Sequence, residues 1–251
     1  IIHTIFNMPE LPEVETTIRG LKPLLGLAIL NIKIHTPNLR FLIPKNISKI
    51  KRGVKILDII RRGKYIKVNL SNNNSIIIHL GMSGRLRLLD KKNFIKGKHD
   101  HFVLFINTNF ILVFNDSRRF GFVDYVKTNL LFKKKYISNL GRDALGHNLD
   151  AIFLHSKISK TIVPIKQVLL DQRIIAGIGN IYASEILFDA KISPFKKGKD
   201  ISILQCKKLV FSIKKILRKA IKSGGSTLRD YVSTDGTLGN FQNSFKVYHR
   251  D

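Results

Sequence analysis

The chain has 251 residues, with 44 Lys+Arg against 17 Asp+Glu, a formal net charge of +27 and a sequence pI near 10.3. Such an excess repels itself in a compact fold and is best tolerated beside a polyanion, so nucleic acid is the leading partner, although frequent Ile and Lys also fit an AT-rich genome. No run of 18 apolar residues is present, residues 1–7 lack the flank and length of a signal peptide, and the lone Cys206 excludes an internal disulfide or a multi-cysteine metal site. A soluble, cytoplasmic protein without membrane contact is expected.

In chain order, the first expected element is a helix over 11–25, where Pro12 fits only a first turn. Short apolar or alternating runs then predict strands at 56–60, 65–70, 75–79, 85–89, 101–106, 110–114 and 121–126. Turn material separates them: Arg62-Gly63, Asn72-Asn73-Asn74 and Asn107-Thr108-Asn109. Strands this closely spaced suggest a β-sandwich or barrel. After Gly146 the spacing changes to three and four, which predicts helices at 165–171, 180–190 and 201–222. Gly224-Gly225-Ser226 ends the last of these, and Ser226 is placed to cap a short helix at 227–232. The expectation is an α+β fold. An extension over 1–8 precedes a helix-plus-β-sandwich domain over 9–138, a linker over 139–149 and an all-helical domain over 150–251.

The stretch Met8-Pro9-Glu10-Leu11-Pro12-Glu13-Val14-Glu15 carries two prolines and three carboxylates. Acids near the positive end of a helix explain Glu13 and Glu15 but leave Met8-Pro9 without a reason. Four more motifs follow in order. They are His79-Leu80-Gly81-Met82-Ser83-Gly84, Lys98-His99-Asp100-His101, Asp116-Ser117-Arg118-Arg119-Phe120-Gly121 and Gly177-Ile178-Gly179-Asn180-Ile181-Tyr182-Ala183-Ser184-Glu185. In this register the chain resembles the formamidopyrimidine-DNA glycosylases from Met8 to about Arg250. Leu11 and Val14 favour that branch over the related endonuclease VIII group.

The resemblance implies a monomeric enzyme with a helix–two-turn–helix module, acting on double-stranded DNA that holds oxidised purines (8-oxoguanine, formamidopyrimidines) or abasic sites. It places the nucleophile at Pro9 and the acid/base at Glu10, with Lys64 touching phosphate and assisting proton transfer. The chemistry suits the residue types: an α-amino group has a pKa of roughly 8, so much of it is unprotonated near neutrality and can attack C1′ to give an imine. His99, Arg118, Lys160 and Asn180 match DNA-contacting positions, and Met82, Arg118 and Phe120 match the trio that fills the space of an extruded nucleotide. Ser233-Thr234-Asp235-Gly236 resembles a lid over the extruded base. Read without the resemblance, Lys64 is a basic turn, His99 a strand-end histidine, Phe120 core, Met82 a gap-filler and Gly177–Asn180 a helix-start turn.

Two departures bear on activity. An internal proline has no amine, so either Met8 is the true start and residues 1–7 are an upstream misreading, or they persist and abolish imine chemistry. The family also continues into a Cys-x-x-Cys…Cys-x-x-Cys zinc finger, whereas this sequence stops at Asp251 without those ligands. No cofactor is therefore expected in this chain, and a catalytically impaired duplex-binding remnant is the alternative to an active enzyme.

Overall fold

The computed structural model describes residues 8–106, 109–226, 234 and 239–248. Helix α1 (Leu11–Gly20) starts with Pro12 in its first turn, and the Glu13 carboxylate folds back to accept the Glu10 amide at 3.0 Å. It is shorter than the expected 11–25. Pro23 cannot donate to a helix and disfavours helical backbone at Lys22, so the chain continues as a 3-10 turn, Lys22–Leu24.

Strand β1 (Ile29–Ile34) was not expected; a register shift between Ile29 and Asn31 breaks the alternation that would have revealed it. The expected strands follow as β2 (Ile56–Arg62), β3 (Tyr65–Leu70), β4 (Asn74–His79), β5 (Arg85–Asp90), β6 (Asp100–Ile106), β7 (Phe110–Asn115) and β8 (Phe122–Lys127). They form two four-stranded antiparallel sheets, ordered β1-β6-β7-β5 and β2-β3-β4-β8. Alternate residues such as Ile66, Val68, Ile76 and Ile78 meet Phe102, Leu104 and Phe114 in a buried core, closed at one end by Val14, Ile18 and Leu21.

The second half holds α2 (Lys135–Ser138), β9 (Arg142–Asp143), α3 (Ala151–Ile158), α4 (Ile165–Leu170), β10 (Ile175–Ala176), α5 (Asn180–Asp189) and α6 (Ile203–Lys222). Its core gathers Leu154, Ile158, Val168, Tyr182, Ile186, Leu209, Ile213 and Leu217. Helix α1 belongs to both halves: Leu11 joins the helical core while Val14 and Ile18 join the sandwich. The expected linker, 139–149, is no free spacer. Its strand β9 pairs in parallel with β10, and Asp143 accepts two bonds from the Arg61 guanidinium, at 2.6 and 3.1 Å. Arg61 also donates to Glu15 on α1 at 2.9 Å, and Arg62 donates to the carbonyls of Leu140 and Gly141. Residues 227–232, the expected short helix, lie outside the described residues. Ser226, expected as its cap, gives its amide and hydroxyl to the Glu13 carboxylate at 2.8 and 3.0 Å.

Candidate active site between the two halves

Glu10 precedes α1, and its carboxylate reaches the N-terminus of α5. The amides of Gly179 and Ile181 donate to it at 2.6 and 2.9 Å, and that of Tyr182 at 3.4 Å. The glycines make this approach possible: a Cβ on Gly179 would lie 2.4 Å from the Glu10 Cδ, and Gly177 has φ +115°. Only 2% of Glu10 is exposed, and burial pushes its pKa up to about 7, against the pull of the Lys64 charge and the amide hydrogen bonds and with the aid of neighbouring Glu13. Lys64, in the β2–β3 turn, is 5% exposed; burial holds its ammonium below its ordinary pKa although Glu10 and Glu13 favour the charge. A buried acid near neutrality beside a destabilised ammonium is the pairing that proton transfer requires.

Glu13, expected only as a helix-start acid, is a structural hub. Its carboxylate accepts the Tyr182 hydroxyl at 2.6 Å as well as the Glu10 amide and Ser226, so one side chain ties α1 to α5 and to the end of α6. Burial and this contact raise the Tyr182 phenol well above its ordinary pKa. No sequence signal separates Glu13 from other first-turn acids, because its partners lie 169 and 213 residues away.

A cleft of about 390 Å³ opens at this point, lined among others by Met8, Glu10, Lys64, Met82, Gln172 and Asn180. Pro9 lies buried between Met8 and Glu10, its nitrogen joined to Met8. A larger apolar groove, about 620 Å³ beside Phe188, Pro194 and Tyr248, holds none of the expected site residues.

Two loops flank the cleft. The first, between β4 and β5, is set by His79, whose Nδ1 accepts the Gly81 amide at 3.1 Å. Burial, with the charges of Lys64 and Arg40, pushes the His79 pKa down to about 3, so the neutral ring carries its proton on Nε2. The second loop joins β7 to β8. Its Asp116 is fully buried and accepts from the Ser83 hydroxyl at 2.5 Å, the Gly121 amide at 2.8 Å and the Arg118 amide at 3.2 Å. A Cβ on Gly81 would meet the Phe120 backbone at 2.3 Å, so the loops touch main chain to main chain.

The trio stands on these loops unevenly, with Phe120 exposed and Met82 and Arg118 half-buried. Phe120 is 45% exposed, which excludes a core role, and the Arg118 guanidinium sits 5.0 Å from its ring. Met82 is half-buried at the cleft. His99 is half-buried, its carbonyl accepting the Asp116 amide at 3.0 Å. Asn180 is exposed as the first residue of α5. Lys160 stands exposed in the turn after α3 and does not line the cleft. Of the lid, only Thr234 falls within the described residues; its carbonyl accepts the Leu88 amide at 3.1 Å.

The residues present do not fit the zinc of the resemblance. Cys206, the single cysteine, is buried in α6 with its thiol pushed up to about 11 by burial, and among the described residues no three His, Cys, Asp or Glu gather as metal ligands. Nor, among the described residues, is any helix long and apolar enough to cross a membrane.

A strongly basic protein with a buried carboxyl and ammonium side by side in a cleft between a sandwich and a helical module has the makings of an enzyme acting on nucleic acid. Residues 8–123 match the formamidopyrimidine-DNA glycosylase N-terminal domain, and residues 140–232 match the formamidopyrimidine-DNA glycosylase H2TH domain. The formamidopyrimidine-DNA glycosylase of Zymomonas mobilis subsp. mobilis is 46% identical over 245 residues, spanning 97% of this chain and 90% of the relative. That of Rickettsia bellii is 42% identical over 245 residues, spanning 97% and 89%. A Lactococcus lactis Fpg mutant, solved in complex with Fapy-dG containing DNA, superposes with a TM-score of 0.87 at 33% identity, covering 96% of this chain and 88% of that one. The L. lactis complex with abasic-site DNA gives 0.86 at 33%, covering 95% and 88%. The chain belongs to the formamidopyrimidine-DNA glycosylase family and is a base-excision repair enzyme with DNA as its partner.

Proposed function

We propose that the protein removes oxidised purines, 8-oxoguanine and formamidopyrimidines, from duplex DNA and then cleaves the strand at the abasic site by β,δ-elimination. The observation that carries this reading is Glu10: a buried carboxyl with a pKa near 7, next in sequence to Pro9 and sharing the cleft with Lys64. In this scheme the Pro9 nitrogen, freed from Met8, attacks C1′ of the damaged nucleotide. Glu10 donates its proton to the sugar ring oxygen or the leaving base, and the amine's own proton passes to the other. The C1′–base and C1′–O4′ bonds break, the base departs and the ring-opened sugar is left as an imine on Pro9. The imine acidifies the C2′ protons, and elimination of phosphate follows. Lys64 touches phosphate and relays a proton. Met82, Arg118 and Phe120 fill the vacated space, while His99, Lys160 and Asn180 hold the backbone. The enzyme acts as a monomer, in the cytoplasm.

Borohydride trapping tests this scheme, on duplexes holding 8-oxoguanine or a preformed abasic site, with the protein's N-terminus read by intact mass. A protein beginning at Pro9 that traps on both supports it. Trapping on the abasic duplex alone means that lyase chemistry stands without excision. No adduct on either, with duplex binding retained, replaces it with the impaired binding remnant. A native protein that retains residues before Pro9 removes Pro9 as nucleophile.

A further inference from the structure

Gln172 lines the cleft but had no expected role. Its side chain bonds only to backbone: Nε2 donates to the carbonyls of Leu170 at 3.0 Å and Ile178 at 2.7 Å, and Oε1 accepts the Gly177 amide at 2.8 Å. The opposite amide orientation would set oxygen against two carbonyls, so the network fixes its sense. The Ile178 carbonyl and the Gly179 amide belong to one planar peptide unit and point in opposite directions. The residue that holds the Ile178 carbonyl therefore also aims the Gly179 N–H, which meets Glu10 at 2.6 Å.

The neighbouring peptides of this turn have a backbone partner on their carbonyls. The Gly177 carbonyl accepts the Leu11 amide at 3.0 Å, and the Ala176 carbonyl accepts that of Ala144 at 3.0 Å. The Ile178–Gly179 peptide is instead held by two side chains, Gln172 at its carbonyl and Glu10 at its amide, so Gln172 is the anchor that does not depend on Glu10 itself.

We propose that Gln172 is a positioning residue, which orients the Ile178–Gly179 peptide so that the general acid Glu10 is hydrogen-bonded in its working place. This rests on the reading of Glu10 given above. The groups facing Glu10 are Lys64 from the β2–β3 turn, Glu13 from α1, and the amides of Gly179, Ile181 and Tyr182 from α5. Loss of aim at Gly179 removes a donor that favours the carboxylate, while Lys64 and Glu13 stay in place. Glu10 then becomes harder to ionise.

The test is a ¹³C titration of the Glu10 carboxyl in the full chain, its signal assigned by its loss in Glu10→Gln. Gln172→Met keeps the length and neutrality of the side chain but has no amide. The expected result is a rise in the Glu10 pKa of about 0.5 to 1. Excision kcat should fall about tenfold, with duplex Kd unchanged within about twofold. Gln172→Asn, too short to reach the Ile178 carbonyl, gives the same shift and decides the matter if the Met variant does not fold. A folded variant whose Glu10 titrates as in the wild type overturns the proposal, even if its stability has dropped. A wild-type protein without excision activity would instead overturn the proposed function, and the titration would still decide whether Gln172 aims the peptide.

Discussion

The cleft and the two loops beside it are each organised around a buried carboxylate, and the two carboxylates do different work. Asp116 spends its side chain within its own loops: Ser83, Arg118 and Gly121 all donate to it, and the result is a rigid base under exposed tips. Glu10 also collects backbone amides, yet it faces the cleft and lies beside Lys64 and Glu13, where burial leaves it ready to hold a proton near neutrality. Burial alone does not make a carboxyl reactive. Glu10 differs from Asp116 in lining a cleft and in having the Lys64 ammonium near it.

The comparison is broken most severely at Glu10. Glu10→Gln should lower excision by about 100-fold or more, the usual worth of a positioned acid, while duplex affinity stays within a few fold. Single-turnover kinetics and a binding isotherm read the two effects, and equal activity of the variant would move the general acid elsewhere. Next is the clamp between the halves. Arg61 is 10% exposed and its partners Asp143 and Glu15 are 18% and 27% exposed, so Arg61→Ala should destabilise the fold by about 3 kcal/mol in denaturant unfolding. No loss would mean that apolar packing around Leu11 suffices to join the halves.

The pH dependence sharpens the contrast. Because the Glu10 pKa is raised from 4.5 to about 7, the folded state keeps a proton that the unfolded chain releases across that window. The contribution to stability is full below pH 4.5 and is lost as pH rises toward 7, at no more than about 1.4 kcal/mol per pH unit. The difference in unfolding stability between wild type and Glu10→Gln should carry this slope, since other shifted groups such as His79 act alike in both, and excision should decline above pH 7 as the acid form disappears. The smallest effect belongs to the loop tips. Phe120→Ala should leave stability within about 0.5 kcal/mol, since the ring is exposed, yet reduce excision of a lesion by roughly tenfold through lost stacking. A stability loss as large as that of Arg61→Ala would show that the ring packs in the fold after all.

Most strands were legible because a half-buried sheet imposes a period of two, as in Tyr65–Leu70, where the expected bounds agree with those observed. Strand Ile29–Ile34 was hidden by its bulge, and in Ala151–Ile158 the run Ile152-Phe153-Leu154 puts a 77%-exposed apolar residue in line with a buried one, which blurs the helical stripe. In the site, the Met8–Glu15 motif pointed to Pro9 and Glu10, while Met82, Arg118 and Phe120 came only from the family resemblance, since read alone Phe120 is core and Met82 a gap-filler. Glu13, His79, Asp116 and Gln172 were not assigned a function, because each acts through partners that the sequence does not bring near.

Composition and spacing alone reveal the basic charge, most of the alternating strands, the helical second half and the motifs on which the family resemblance rests. Those are local properties: period, capping and the conformational freedom of glycine act over a few residues. Folding alone brought Glu10 against amides 169 to 172 residues away, and it paired the expected linker with the helical half while ion-bonding it to the sandwich. It also decided that Lys64 would be buried beside two carboxylates. A carboxyl's pKa depends on what excludes water from it and which charges stand near it, and both are set by distances between segments that the linear chain leaves open.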